Sequence, residues 1–393
     1  MQMQCATHGC GQYLESALGY QLDVLRRTMM RHLVLVGAGF AHLKLLAHLR
    51  QSMPADLGVT VITREQEYVQ PVLFTQAIAL GRNVERSTVD ITALLQKTSV
   101  CWLRQNVQTI RATEKKLLLD DGRTLHFDWL SIDLEPVQNR DMVERQLPGA
   151  RANGLYLHPR ENLCNLWPRV AAMAADKPLR VALVAATPDS TGPAGNFTLE
   201  LALAIAQRFK GSALTLITNS QQLAVGTAVF QSQIQGLLRH SNITVLPDAA
   251  SAIQPGEITL ASGARLACDV PLLVTPADIP LLFLSSDLQR DTSGQIDLDG
   301  WQRASSHACV FVPRNLSRCA VTTWLRGLTD TFNGRPLTAR AAAPAQVPGS
   351  GPHFLGCGNG KTLVVWGNLV WQSHLAEYLR IGQARRHLKG LSA

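Results

Sequence analysis

Residues 32–49 read HLVLVGAGFAHLKLLAHL: a short apolar run, a Gly-x-Gly turn, and then apolar residues spaced three and four apart. This order predicts a buried strand, a tight turn and a helix, the arrangement with which many proteins bind a dinucleotide. Gly37 permits the turn, and Gly39 lets the backbone approach a pyrophosphate at the helix N-terminus.

The residue after this turn departs from the usual pattern, because His42 stands where a third glycine is expected. His42 either donates a hydrogen bond to a phosphate or packs the helix against the strand. The alternative to a nucleotide site is an ordinary buried strand and helix. The candidate ligand contacts of the turn are Gly37, Ala38, Gly39, Phe40, Ala41 and His42.

The composition is that of a globular protein with more than one domain. The 393 residues are 46% hydrophobic and 17% charged, which suits two or three well-buried cores. The formal net charge of +8 indicates affinity for anions such as nucleotides, an acidic membrane surface or nucleic acid, or else a basic surface with no partner. No run interleaves Lys and Arg with aromatic residues, so a nucleic-acid platform is not expected.

The eight cysteines form no Cys-x-x-Cys pair, a pattern typical of reduced thiols in a cytoplasmic protein. Cys5, His8 and Cys10 lie close together but lack a second group of ligands, so no metal site is expected. Cys101 falls in a predicted strand and is expected to be a buried structural thiol. No apolar run approaches the roughly 20 residues that span a bilayer, and no signal peptide is evident.

A second parallel strand is predicted at Val59–Thr63 from its β-branched residues and the preceding Gly58. At the end of this strand, dinucleotide-binding proteins usually carry an acidic residue that holds the adenosine ribose. Thr63 and Arg64 take its place. The Thr63 hydroxyl can still bond a ribose and Arg64 can meet a phosphate, so both are candidate ligand contacts.

The next segment, Glu67–Ala77, contains the sequence QPVLFTQ. Together with the glycine turn and the second strand, it resembles the type II NADH dehydrogenases and the wider family of pyridine nucleotide–disulfide oxidoreductases. The resemblance is strongest to the flavoprotein module associated with selenide, water dikinase, which also tends to begin with His-Leu-Val-Leu-Val-Gly. In such proteins the Gln-Pro segment passes near the flavin ring. Gln70 and Pro71 are therefore candidate flavin contacts, and the alternative is a polar loop after a strand.

The resemblance implies an α/β protein with two Rossmann-like dinucleotide-binding domains and a small C-terminal segment. Each domain has the three-layer ββα arrangement, and the second domain is inserted in the first. The implied boundaries are a tail at 1–30, an FAD-binding domain at 31–150 and 286–340, an NAD(P)-binding-like domain at 151–285, and a C-terminal linker, strand and helix at 341–393. It also implies that the backbone of Val107 meets the adenine of FAD. Arg314 and Asn315 would stand at the flavin ribityl chain.

At several positions this sequence lacks a glycine that the family carries. Glu135, Pro276 and Arg314 replace glycine-type contacts. The turn at 185–196 contains two prolines where the family has Gly-x-Gly-x-x-Gly. Either Gly192, Gly195 and Asn196 form a different anion-binding nest, or NAD(P)H binding has been lost. FAD is thus the expected cofactor and NAD(P)H a doubtful one.

The C-terminal part is predicted to follow an Ala-, Pro- and Gly-rich linker at 341–352 and to end in an amphipathic helix from about Trp371 to Leu388. Its apolar residues are expected on one face, namely Leu375, Tyr378, Leu379 and Ile381. Relatives use such a segment to reach the membrane and a quinone, which implies a cytoplasmic protein or peripheral contact at the inner face of the membrane. The alternatives are a helix that docks on the sheet and a homodimer interface.

The function that the resemblance implies is that of an FAD-dependent oxidoreductase of the NAD(P)H:quinone type, with a small-molecule electron donor and acceptor. Glu200 matches a family glutamate near the nicotinamide, although a solvated or paired helix face accounts for it equally. Because the flavin ring performs the chemistry, no catalytic side chain is required or assigned. The alternative is a family member that keeps the fold without redox turnover, as a nucleotide-binding, regulatory or interaction protein.

Overall fold

The computed structural model describes residues 30–96, 99–134, 138–185, 195–220, 223, 227–274, 281–291, 295–313, 318–335, 337 and 352–392. The elements of the first part are β1 Arg31–Val36, α1 Phe40–Leu49, β2 Leu57–Ile62, β3 Glu67–Val69, α2 Pro71–Leu80, a 3₁₀ turn Val84–Ser87, β4 Thr88–Asp90, α3 Ile91–Gln96, β5 Cys101–Leu103, β6 Val107–Arg111, β7 Lys116–Leu119, β8 Thr124–His126 and β9 Trp129–Ile132.

The middle of the chain contains α4 Arg140–Gln146, α5 Ala150–Asn153, β10 Leu155–Tyr156, α6 Arg160–Asp176, β11 Arg180–Ala185, α7 Gly195–Arg208, β12 Ala213–Ile217, α8 Ala228–His240, β13 Ile243–Leu246, β14 Ala250–Gln254, β15 Glu257–Leu260, β16 Arg265–Ala267, β17 Val270–Val274 and α9 Leu281–Leu284. The last elements are β18 Arg303–Ala304, β19 His307–Phe311, α10 Arg318–Phe332, β20 His353–Gly356, β21 Thr362–Trp366, β22 Leu369–Ser373 and α11 His374–Ser392.

The first sheet has the strand order β18-β19-β9-β1-β2-β5, with β1 parallel to both β2 and β9. Residues 33–36 of β1 are at most 3% exposed. Alternate side chains of a strand point to opposite faces. Leu33 and Leu35 therefore pack in the cluster that contains Trp324, while Val34 and Val36 pack under the β6–β8 meander. Burial on both faces explains the continuous apolar run of this strand.

The second sheet has the order β10-β17-β11-β12-β13, and all its strands run parallel. Its order β13-β12-β11-β17 repeats the order β5-β2-β1-β9 of the first sheet. In each half, a three-stranded antiparallel meander precedes the fourth strand, β6–β8 in one and β14–β16 in the other. The chain then returns to the first sheet with β18 and β19. The predicted α/β fold with two Rossmann-like halves, one inserted in the other, is confirmed.

The C-terminal residues form an antiparallel sheet, β20-β21-β22, followed by α11. One face of this sheet packs on the core of the second half through Leu355, Leu363 and Val365. The prediction that the helix begins near Trp371 is wrong, because Trp371 pairs with Val364 inside β22.

Two further expectations about exposure are wrong. Cys101 is exposed, because β5 is the edge strand of the first sheet. The four apolar residues of α11 do not share a face, because Ile381 is 7% exposed while Leu375, Tyr378 and Leu379 are 55% to 74% exposed. Ile381 packs against Leu73 of α2 and thus docks the helix on the body of the protein.

Candidate functional site

The glycine turn after β1 is built as the sequence predicts. Gly37 has φ +87°, a conformation that side chains rarely adopt, and its N–H donates to the Ile62 carbonyl at 2.9 Å. A Cβ atom at Gly37 would overlap the Asp133 carbonyl, and one at Gly39 would overlap the Asp133 carboxylate. Both glycines are therefore required by the close approach of the residue that follows β9.

The carboxylate of Asp133 occupies the N-terminus of α1. It accepts hydrogen bonds from the backbone N–H groups of Ala41 at 2.8 Å and His42 at 3.1 Å, and the Gly39 N–H donates to the Asp133 carbonyl at 3.1 Å. Asp133 is buried, and this burial raises its pKa to about 6, against the opposing effect of the two N–H donors. An anion of the protein thus satisfies the helix end where a phosphate is usually bound.

One donor of this helix end remains. Within the described part of the chain, the Phe40 N–H makes no hydrogen bond, while those of Ala41 and His42 are used by Asp133. The Phe40 ring lies between Tyr68 and His387, with centroid separations of 6.3 and 5.2 Å. Phe40 therefore presents the donor that a ligand at this turn can use without displacing Asp133.

His42 is fully buried and hydrogen-bonded through both ring nitrogens. Nδ1 lies 2.8 Å from the Gly37 carbonyl and Nε2 lies 2.9 Å from the Ser131 hydroxyl. Since a carbonyl only accepts, Nδ1 carries the proton and Nε2 accepts from Ser131. Burial lowers the pKa of His42 to about 4, so the ring is neutral at physiological pH. Of the two predicted roles, the geometry favours packing and bracing of the turn.

Near the end of β2, Arg64 forms an ion pair with Asp120, which lies in the connection between β7 and β8. The Arg64 guanidinium lies 2.5 Å from the Asp120 carboxylate, and Thr63 is buried, its hydroxyl accepting from the Glu65 N–H at 3.2 Å. Val107 begins β6 and is half-buried. Asp120, which no sequence motif indicates, brings a carboxylate to the end of β2, where Thr63 and Arg64 replace the usual acidic residue.

Gln70 and Pro71 begin α2 and do not form a polar loop. The Gln70 side chain accepts from the Leu73 N–H at 3.0 Å, and Pro71 takes the first helical position, where its missing N–H costs nothing. Gln70 is 9% exposed. The segment thus forms the N-terminal cap of α2, a helix that packs against α11 through Leu73 and Ile381.

Glu200 of α7 belongs to a buried ionic network. Its carboxylate accepts from the Gly356 N–H at 2.9 Å and lies 2.5 Å from the Arg380 guanidinium, which also contacts Glu377 at 3.1 Å. Burial raises the pKa of Glu200 and Arg380 opposes that rise. Of the interpretations of Glu200, the structure supports a residue paired on its helix face. The pairing connects α7 to the C-terminal sheet and α11.

Several predicted positions fall outside the described residues: Glu135, Gly192, Pro276, Arg314, Asn315, Cys5, His8 and Cys10. Among the residues that the structure does describe, no three His, Cys, Asp or Glu side chains meet as metal ligands. In the same ranges, no helix is both long enough and apolar enough to cross a membrane.

A direct test of the glycine turn is the substitution Gly39→Ala. Because Gly39 has φ −65°, a methyl group brings no backbone strain, and any effect comes from its overlap with the Asp133 carboxylate. We expect a loss of about 1–3 kcal/mol in the free energy of unfolding, measured in urea. Gly58→Ala is the matched control, since its Cβ would have no neighbour closer than 3.5 Å; equal losses for the two variants would contradict the described packing.

Comparison with known proteins bears on the fold. No model of a protein family matches the chain, and no curated protein matches it in sequence. Among solved structures, the sulfide:quinone oxidoreductase from the hyperthermophilic bacterium Aquifex aeolicus is 15% identical, with 92% of this chain and 91% of that chain covered at a TM-score of 0.70. NDH2 from Plasmodium falciparum, solved in complex with NADH, is 11% identical over 92% and 97% of the two chains, at a TM-score of 0.65.

A third solved structure, the covalent putidaredoxin reductase–putidaredoxin complex, is 14% identical over 90% of this chain and 92% of that chain, at a TM-score of 0.64. At identities this low, the likeness shows a shared fold. These proteins have the two-domain Rossmann-like fold that the sequence resemblance implies for this chain.

Proposed function

We propose that this protein is an FAD-dependent oxidoreductase whose flavin site lies at the carboxyl end of the first sheet. The observation that carries this proposal is the left-handed Gly37 turn between β1 and α1, with a Phe40 N–H that has no hydrogen-bond partner among the described residues. In open parallel sheets, ligands bind outside the carboxyl ends of the strands, where the strand order reverses direction. β1 lies at that point, between β2 and β9.

The residues of the turn fit a dinucleotide under one condition. The backbone of Gly37–Phe40 suits a diphosphate, and the Thr63 and Arg64 positions suit a ribose and its neighbouring phosphate. The Asp133 carboxylate, in contrast, holds two of the helix N–H donors and carries the same charge as a diphosphate. FAD therefore fits when Asp133 is protonated or turned away from the helix.

A bound FAD would supply the hydride and electron chemistry. The contribution of the chain is position: the glycine turn and Phe40 N–H hold the diphosphate, His42 and Ser131 brace the turn, and Gln70 and Pro71 shape the pocket towards the flavin ring. The electron donor and acceptor are proposed to be small molecules, with a quinone as the acceptor class. NAD(P)H remains a doubtful donor, because the sequence at 185–196 lacks the family's Gly-x-Gly-x-x-Gly pattern.

We also infer peripheral membrane contact through the C-terminal apolar face, which consists of Phe354, Trp366, Leu369, Trp371, Leu375, Tyr378 and Leu379. The first four side chains share one face of the C-terminal sheet, since Val364 is paired with both Phe354 and Trp371 while Trp366 is paired with Leu369. All seven are 42% to 74% exposed. Tryptophan, tyrosine and leucine together favour the boundary between water and hydrocarbon. A homodimer that buries the same face is the alternative.

A second function is favoured by one specific observation. Because Asp133 accepts from the Ala41 and His42 N–H groups, these two donors of the helix end need no bound phosphate. This geometry supports a family member without redox turnover, acting as a regulatory or interaction protein. The two functions differ in whether the purified protein takes up FAD.

The experiment that separates them is a spectrum of the purified full-length protein, followed by titration with FAD. The oxidoreductase proposal predicts a flavin band near about 450 nm, either as isolated or after FAD is added, with quenched flavin fluorescence. If a colourless protein fails to quench FAD fluorescence even below the pKa of Asp133, the regulatory function takes its place.

A further inference from the structure

A groove of about 400 Å³ lies between the end of α2, the 3₁₀ turn and the last turns of α11. Four cationic side chains line it, namely Arg82, Arg86, Arg385 and Lys389, and no acidic side chain does. Arg82 and Arg86 come from the body of the first half, while Arg385 and Lys389 come from the C-terminal helix. The groove therefore gathers positive charge from segments about 300 residues apart in sequence.

The arginines of the groove have no acidic partner in the part of the chain that the structure describes. Within the described residues, no carboxylate lies within ion-pair distance of Arg82, Arg86 or Arg385, and the recorded contact of Arg385 is with the Gln76 amide oxygen at 3.5 Å. The nearest carboxylate in sequence, that of Glu85, accepts a hydrogen bond from Asn83 at 3.0 Å. Like charges held together without a counterion repel, and an anionic ligand relieves that repulsion.

The chemistry of these side chains indicates the kind of anion. Arginine presents several N–H donors in a fixed planar fork that matches the oxygens of a phosphate. The groove also exposes polar groups from Gln76 and Asn83 at its rim. A phosphate group fits this donor set better than a metal or an apolar ligand.

The groove continues the C-terminal apolar face. A helix turns by about 100° per residue, so positions separated by seven and eleven residues lie almost in line. Tyr378, Arg385 and Lys389 have this spacing, and the flank of α11 beside them is buried through Ile381 and Ala384. Leu375 to Lys389 covers about 21 Å along the helix. The apolar side chains near the start of α11 and the cations near its end thus form one continuous surface along the helix.

We propose that this groove binds the phosphate headgroup of an anionic phospholipid when the C-terminal apolar face lies at the surface of a bilayer. The proposal rests on the membrane contact inferred above and adds a lipid preference to it. Apolar side chains reach the boundary of the hydrocarbon, and cations beside them meet the headgroups. A soluble phosphate ester has the same chemistry but gains nothing from the neighbouring apolar face.

The test is co-sedimentation of the full-length protein with vesicles of phosphatidylcholine alone and with vesicles that also contain phosphatidylglycerol. We expect the double variant Arg82→Gln/Arg86→Gln to lose about tenfold in partitioning onto the anionic vesicles. The matched control is Arg169→Gln/Arg239→Gln, which removes the same charge from two exposed arginines outside the groove. This control is expected to lose much less, and added salt should weaken the binding of the wild type.

Each other outcome has a defined meaning. Equal binding of the wild type to both kinds of vesicle keeps the membrane contact and overturns the groove proposal. Equal losses in the two double variants also overturn it, since the effect would then come from net charge. Binding to neither kind of vesicle overturns the membrane contact itself. Thermal stabilisation by inorganic phosphate without any preference for anionic vesicles overturns the lipid as the ligand.

Discussion

Asp133→Asn is expected to tighten the binding of FAD by about tenfold to a hundredfold at neutral pH, because it removes a negative charge from the place where the diphosphate must lie. Asparagine has almost the same shape, and its amide oxygen can still accept from the Ala41 or His42 N–H. The helix end therefore keeps a cap, while the repulsion between carboxylate and diphosphate is lost. Fluorescence quenching of FAD, titrated against each variant, measures the difference.

The control for this variant is Asp90→Asn. The Asp90 carboxylate accepts from the Ala93 N–H at 3.1 Å and so caps another helix, α3, with the same kind of contact. Because Asp90 is exposed, its replacement should leave FAD affinity unchanged. A similar gain in both variants would show that general charge, and not the position of Asp133, governs binding.

Arg380→Met is expected to lower the free energy of unfolding by about 3–5 kcal/mol, because it leaves the buried carboxylate of Glu200 without its cation. Glu377 loses a partner at the same time, although it keeps the hydrogen bond from Thr362. Urea unfolding at neutral pH measures the loss. Limited proteolysis is expected to release the C-terminal sheet and α11 first, since this network ties them to α7.

Two comparisons make the Arg380 result specific. Arg386→Met changes an exposed arginine on the same helix, whose guanidinium donates to the Gly382 carbonyl at 3.3 Å, and should cost less than about 0.5 kcal/mol. The double variant Arg380→Met/Glu200→Gln should recover part of the loss, because no unpaired charge remains at Glu200. Equal stability of all three variants would mean that the buried pair does not hold the C-terminal unit.

The fold could be read from sequence because its signals are local. β1 is apolar from Leu33 to Val36 because both faces are buried there, and Gly37 adopts the left-handed turn that its place between strand and helix suggests. The same strand order recurs in both sheets, each of which begins with such a strand followed by a helix. The prediction for Cys101 is wrong because the edge position of β5 depends on distant segments. The prediction for Trp371 is wrong because its strand forms a local hairpin with β21.

The site could be predicted only in part, since its decisive contacts join distant residues. Asp133 bonds Ala41, which is 92 positions away in sequence, and Arg380 bonds Glu200, which is 180 positions away. No local pattern indicates such a pair. One signal was present: Ser131 and Asp133 are polar residues in and directly after a strand that is otherwise apolar, and buried polar groups require partners. Those partners are His42 and the end of α1.

The pH dependence of this site has a defined sign. Burial raises the pKa of Asp133 to about 6, so the carboxyl is largely neutral below that value and charged above it. The affinity of the wild type for FAD should therefore rise as the pH falls through about 6. The same shift makes the native state bind more protons than the unfolded state between about pH 4 and 6, so this group's contribution to stability falls as the pH rises through that window.

The most direct test of the account compares FAD affinity in the wild type and Asp133→Asn at about pH 5 and about pH 8, on either side of the Asp133 pKa. The account predicts that the variant binds about tenfold or more tightly at the higher pH and that the two proteins bind alike at the lower pH. The same ratio at both pH values, or no FAD binding by either protein at either pH, would contradict it.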